Sequence, residues 1–225
     1  MIEEEILEIE IQQEWIDESK LAAEKLGILN NSIRGGEGNQ IGFIGELAVI
    51  KTLGYSRTNI YESDVSKYHY DMIDLNGRTI DIKTKECIFK PRINYAVCVY
   101  DMQVFKQHCQ HYIFVRVDKS LKYVWILGWL DKIEFFEKAK FCIKGERDPD
   151  DIYHIFEADC WNCYISELRP ITELNTYIST YNYHDIDGIK EILHNIIYNK
   201  KIEERKKLTT KNMMLSKSDP FFDDL

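Results

Sequence analysis

The stretch that most limits the possible folds is YDMIDLNGRTIDIKTK, residues 70–85. Two runs rich in β-branched and apolar residues flank Asn76-Gly77, and Asn-Gly suits the left-handed conformations that tight hairpin turns require, so the segment reads as a β-hairpin. Three further strand candidates follow, YAVCVY, HYIFVRVD and YVWILGWL, with a short helix expected over 102–108. Helical periodicity brackets this block. EWIDESKLAAEKLG is amphipathic and closes at Gly27, while QIGFIGELAVIKTLG sets Ile44, Leu47, Ala48, Ile50 and Leu53 on one side and ends at Gly54, where a C-cap is expected. A long helix over 185–208 carries Ile186, Ile189, Leu193, Ile196 and Ile197, its later half strongly charged. This order predicts an α/β (α+β) fold: a central mixed sheet of about five strands flanked by helices, with a C-terminal helical extension.

At 225 residues the chain suits one domain over 1–205, with a core at about 40–130 and an elaboration over 131–205. In the elaboration LDKIEFFEKAKF reads as helix, and CYISELRPITEL as a strand running into a turn at Pro170. EILEIEIQ near the N-terminus alternates like a short strand. Residues 206–225 read as a flexible acidic-aromatic tail, whose SDPFFDDL end suggests a protein partner docking through residues 216–225.

A hydrophobic content of 44% with only 4 Pro and 11 Gly excludes a disordered or collagen-like chain. The net charge of −9 argues against coating nucleic acid through bulk positive charge. No apolar run reaches the roughly 20 residues of a membrane span, and MIEEEILEIE is acidic where a signal peptide needs positive charge. These features predict a cytoplasmic protein without a membrane partner, and the abundance of Ile, Asn, Lys and Tyr suits an AT-rich genome, hence a bacterial protein or a phage-encoded one in the host cytoplasm. The 6 cysteines are scattered and read as reduced thiols. Cys160 and Cys163 have zinc-ligand spacing, with His154 and Cys142 nearby, but a second close pair is missing. Trp125 and Trp129 are expected on one strand face, in the core.

Within the hairpin, Asp81 and Lys83 are two residues apart, so a strand projects both from one face while Ile80 and Ile82 point the other way. Such a pair serves a site where a divalent cation and a water meet one phosphate: the carboxylate is a hard oxygen ligand and the ammonium steers the water. One carboxylate holds the ion poorly, so a second acid is needed, and Asp71 and Asp74 both qualify. A two-residue turn pairs 72 with 81 and puts Asp74 on the catalytic face; a three-residue turn with a glycine bulge pairs 71 with 83 and brings Asp71 forward. An Asp-x-Lys strand alone is more often a solvated face with a weak ion pair.

GFIGELAV, YDMID and IDIKTK, in this order and spacing, resemble the PD-(D/E)XK nuclease superfamily, with a restriction-endonuclease-like core. The resemblance covers about residues 40–117; Tyr70 stands where the family name has proline. It implies catalytic roles for Glu46, Asp71, Asp81 and Lys83, with Asp71 favoured over Asp74 by the spacing. It implies Mg²⁺, for which Mn²⁺ substitutes, held by Asp71, Asp81, Glu46 and the Ile82 carbonyl. It also points to Lys85, Gln103 and Gln107 as further site residues.

The expected activity is Mg²⁺-dependent hydrolysis of DNA phosphodiesters by metal-activated water, endonucleolytic rather than exonucleolytic, in restriction, recombination or repair. The alternative is a catalytically silent nuclease-fold module recruited to a DNA-processing complex through its tail. Arg34, Lys85, Lys90 and Arg92 are candidate DNA contacts. A homodimer is a further expectation to test, since enzymes that cut both strands commonly bring two sites to one duplex.

Overall fold

The computed structural model describes residues 5–26, 38–54, 56–57, 70–147 and 155–217. Chain order is β1 (Leu7–Glu10), α1 (Gln13–Leu26), α2 (Asn39–Leu53), β2 (Ser56–Arg57), β3 (Met72–Ile73), β4 (Thr79–Cys87), β5 (Ala96–Tyr100), β6 (His111–Asp118), β7 (Tyr123–Asp131), α3 (Lys132–Lys138), β8 (Lys140–Cys142), β9 (Cys160–Tyr164) and α4 (Ile186–Lys217). The fold is α+β: a mixed sheet flanked by helices, ordered β1-β7-β6-β4-β3-β2, in which β4 and β6 run parallel and the other pairs antiparallel. No helix among the described residues is long and apolar enough to cross a membrane.

The two faces of the main sheet bury separate cores. Ile80 and Ile82 of β4, with Ile113, Val115 and Val117 of β6, pack under α1 and α2 through Trp15, Ile44, Leu47 and Ala48. Tyr112 and Phe114 point the opposite way, into a core shared with α3, α4 and the second sheet through Phe135, Phe136, Trp161, Leu193 and Ile197. Every residue of β6 is therefore buried, as expected for a central strand with both faces covered.

Several expectations are corrected. YAVCVY leaves the main sheet and forms β5 of a three-stranded sheet ordered β5-β9-β8. The segment after β5 is a 3-10 turn at Asp101–Gln103 in place of a helix over 102–108. The helix read from LDKIEFFEKAKF stops at Lys138, and Lys140–Cys142 becomes β8. Helix α4 continues through Lys217, so residues 209–217, expected in a flexible tail, are helical; the acidic-aromatic end, 218–225, lies outside the described residues. Trp125 and Trp129 face opposite cores. The cause is a bulge: Phe114 pairs with Gly128 but Val115 with Ile126, and the extra residue reverses the alternation.

Helix α2 seats tightly on β4 at Gly45. A Cβ built there would lie 2.1 Å from Thr84 Oγ1 and 2.9 Å from Thr84 Cγ2, whereas one at Gly42 would meet nothing within 4 Å. Gly45→Ala is accordingly expected to destabilise the protein by about 1–3 kcal/mol through overpacking. Gly42→Ala should stabilise it by up to about 1 kcal/mol through helix propensity. Thermal unfolding of the two variants beside wild type checks the opposite signs.

His111 opens β6 in an apolar cage, edge-on to Trp129, Tyr177 and Tyr183, with neither ring nitrogen hydrogen-bonded. Burial first and then the Arg78 charge push its pKa down to about 4, with Asp74 opposing. Asp131 Oδ2 lies 4.0 Å from Nδ1 but accepts from the Ser179 hydroxyl, while Oδ1 accepts from that of Tyr183. An unfolded chain protonates His111 near pH 6.5 while the folded one resists to about pH 4, so stability is lost as pH falls through that window, by about 3 kcal/mol in all. His111→Gln should flatten the slope of denaturant stability between pH 7 and 4 relative to wild type.

Candidate active site

The hairpin places the two acids differently. Its connection is a three-residue turn closed by Gly77 N–H to Asp74 O (3.0 Å), and Gly77 adopts φ 77°, where glycine is favoured. Met72 pairs with Ile80 and Ile73 with Thr79. This register differs from both expected ones, yet it puts Asp71 beside the Asp81 segment: its N–H donates to Ile80 O at 2.9 Å, and its Oδ2 accepts from Ile82 N–H at 2.6 Å. The N–H and C=O of one strand residue point the same way, so the Ile82 carbonyl also faces Asp71.

Asp74 does something else. Buried at the turn, it accepts from Asn76 N–H (2.9 Å) and Arg78 N–H (2.8 Å) and pairs with the Arg78 guanidinium at 2.6 Å. Its oxygens are spent on holding the turn, which takes it out of the candidate ligand set.

Asp81 and Lys83 share a face of β4, but that face is covered. Asp81 is only 5% exposed, and Lys83 Nζ meets Asp81 Oδ1 at 2.6 Å. Gln107 Nε2 donates to Asp81 Oδ2 at 2.6 Å, and Gln103 Oε1 accepts from Lys83 Nζ at 3.1 Å. Both glutamines thus meet the Asp-x-Lys pair directly. Tyr112 completes the floor: its hydroxyl donates to Gln107 Oε1 at 3.3 Å, and Lys83 Nζ stands 5.7 Å from its ring centroid. Sequence reasoning missed Tyr112, because it lies opposite Asp81 only through the parallel β4–β6 register.

The turn carrying the two glutamines is braced from three elements. Lys132 of α3, itself buried, donates to the Val104 and Gln107 carbonyls. Asp101 accepts from Trp161 Nε1 of β9 (2.9 Å) and pairs with Lys201 of α4 at 2.6 Å. The site is held by the second sheet and both C-terminal helices as well as by the hairpin.

Glu46 lies on α2, one residue beyond the close seat of Gly45 on Thr84. Burial pushes the Asp71 carboxyl well above the usual carboxylate range, and the Asp81 and Glu46 charges push it the same way; the Ile82 N–H and Lys83 oppose them. Three carboxylates therefore interact here with the Lys83 ammonium, and the buried Lys132 ammonium also interacts with Asp81. Such an excess of hard oxygen donors fits a divalent cation in charge and ligand type.

Among the described residues no three His, Cys, Asp or Glu side chains converge tightly enough to hold a metal ion. The hydrogen bonds give a reason: Lys83 and Gln107 cap both Asp81 oxygens, and Ile82 N–H takes one from Asp71. A cation would have to replace Lys83 at Asp81.

The expected DNA contacts divide. Lys85 and Arg92 are exposed. Lys90 pairs with Glu8 at 2.9 Å, and Glu8 also accepts from Trp125 Nε1, so its charge is partly spent within the protein. Arg34 and His154 lie outside the described residues. Cys160 and Cys163 enter different clusters on opposite faces of β9, so they do not chelate as a pair. The chain matches no protein-family model and no curated protein.

Proposed function

We propose that the protein is a divalent-cation-dependent nuclease that hydrolyses phosphodiester bonds in DNA. The observation that carries the reading is the interacting set of Asp71, Asp81 and Glu46 around Lys83 of β4. Asp71, Asp81, Glu46 and the Ile82 carbonyl would hold Mg²⁺ or Mn²⁺. When bound, the cation supplies Lewis-acid stabilisation of charge on the phosphate and lowers the pKa of a water.

The chain's own groups do the rest. Ile82 N–H fixes the Asp71 carboxylate, and Gln107 fixes that of Asp81. Lys83, released from Asp81, presents its ammonium to the phosphate oxygens or to the attacking water, with Gln103 limiting how far it swings. Exposed Lys85, one strand step further on the same face, meets the neighbouring phosphate. The acidic net charge is consistent with weak DNA binding by metal-free protein.

The test incubates the purified chain with linear, circular, single-stranded and branched DNA in Mg²⁺, in Mn²⁺ and in chelator. Cation-dependent cleavage is expected, and nicked or linearised circles would establish an endonuclease. Intact DNA on every substrate with either cation would overturn the proposal.

A further inference from the structure

Outside the candidate active site, the densest group of reactive side chains lies on the outer face of the second sheet. Strand alternation sends Val97, Val99, Phe141, Trp161 and Cys163 into the main core and leaves Cys98, Cys142 and Cys160 on the other face, with Phe156 and Tyr100. Cys142 stands directly across from Cys160. Cys98, paired with Asn162, is the diagonal neighbour of Cys160 on the other flank. Cys160 therefore sits between the other two on one face, its thiol donating to Asn162 Oδ1 at 3.7 Å. All six cysteines are free thiols, and half of them meet here.

We propose that Cys98 is a peroxide-reactive thiol and Cys160 its resolving partner, so that a two-electron oxidant converts this cluster to a disulfide. The inference does not rest on the nuclease reading.

The three thiols are not equivalent. Cys142 and Cys160 are 4% and 2% exposed, whereas Cys98 keeps partial contact with solvent. The neighbouring Cys160 thiol and the charges of Lys85, Arg116 and Lys83 together outweigh burial and hold Cys98 below the usual thiol range. Contact with Cys142 and Cys98 raises Cys160. Elsewhere burial raises Cys87 to about 11 and Cys109 to about 12, and raises Cys163 further. A thiolate-favouring, partly exposed cysteine against a second thiol is the environment of a redox-reactive pair.

In the first step the Cys98 thiolate attacks one peroxide oxygen. The O–O bond breaks, the other oxygen leaves as hydroxide and is protonated to water, and Cys98 becomes a sulfenic acid. In the second, Cys160 loses its proton and attacks that sulfur; the S–O bond breaks, and the departing hydroxide takes up the proton as water. Two thiols lose two electrons in all, and one peroxide gains them. Diagonal neighbours in a sheet stand about 7–8 Å apart, beyond the disulfide range, so the Cys98–Cys160 bridge is a strained intermediate; Cys142 then loses its proton, attacks Cys160 and expels Cys98 as thiolate, moving the bridge to the directly opposed pair, whose Cα separation of about 4.5–5.5 Å falls within that range. A dithiol reductant reverses the change.

The test needs no substitution at first. The reduced full chain is treated with iodoacetamide at neutral pH and the modified peptides are followed by mass spectrometry; Cys98 should be alkylated several-fold faster than Cys87, the other half-buried cysteine. After hydrogen peroxide, digestion should give a peptide joining Cys160 to Cys98 or to Cys142. Cys160→Ser should instead leave a dimedone-reactive sulfenic acid at Cys98, and Cys98→Ser should slow oxidation of the cluster. Alkylation of Cys98 no faster than Cys87, or linkage only between separate chains, would overturn the proposal. So would tight uptake of Cd²⁺ by the three thiols with no disulfide on peroxide treatment, which would make the cluster a soft-metal site.

Discussion

Lys83→Met is expected to lower cation-dependent DNA cleavage by about 10²–10³-fold, the usual loss when one preorganised charge-stabilising donor is removed. Methionine keeps the apolar stem against Tyr112 and deletes only the ammonium, which Asp81 and Gln103 hold at 2.6 and 3.1 Å. Asp81→Asn should be as damaging for a different reason, loss of a cation ligand. The two are told apart by raising the Mn²⁺ concentration, which should partly rescue Asp81→Asn and leave Lys83→Met unchanged. Gln103→Ala removes one charge-assisted hydrogen bond to the lysine, worth about 1.5–3 kcal/mol, and should cost about 10–100-fold. Equal, small losses for all three would mean that the Asp-x-Lys pair is a structural ion pair.

Arg78→Ala is expected to destabilise the fold by about 3–5 kcal/mol, because it strands the carboxylate of Asp74, whose side chain is fully buried. The same guanidinium also donates to the Leu174 and Tyr177 carbonyls at 2.7 and 2.9 Å, pinning the segment after β9 to the hairpin. For a chain of this size the loss corresponds to a fall in Tm of roughly 6–20 °C. A double variant, Arg78→Met with Asp74→Leu, removes both charges and should recover part of it. Arg78→Ala that still folds at low temperature should still cleave DNA, since neither Asp74 nor Arg78 serves the site.

What the sequence made legible follows from local rules. Strand alternation put Asp81 and Lys83 on one face and Ile80 and Ile82 on the other, and Gly54 marked the end of α2, where it adopts φ 66°. The part that escaped depends on pairing between distant segments. Asp71 against Asp74 turned on a register that two turn geometries could each satisfy. The departure of β5 to a second sheet was hidden because a short apolar run reads alike in either sheet. The bulge at Leu127 separates Trp125 from Trp129, and its one sequence mark is the strand-interior Gly128, which adopts φ 141°. Tyr112, Lys132 and the thiol cluster meet their partners only across strands or helices that sequence spacing does not relate.

The central claim is that Asp71 and Asp81 would together hold a divalent cation once Lys83 leaves Asp81. The most direct measurement is a calorimetric titration of the metal-free full chain with Mn²⁺, repeated on Asp71→Asn and Asp81→Asn, with each fold verified by circular dichroism. The account predicts saturable binding by wild type that both substitutions weaken by at least about 10-fold, as expected when a ligand to the metal is lost. No binding by wild type, or binding that folded Asp71→Asn and Asp81→Asn retain unchanged, would contradict it.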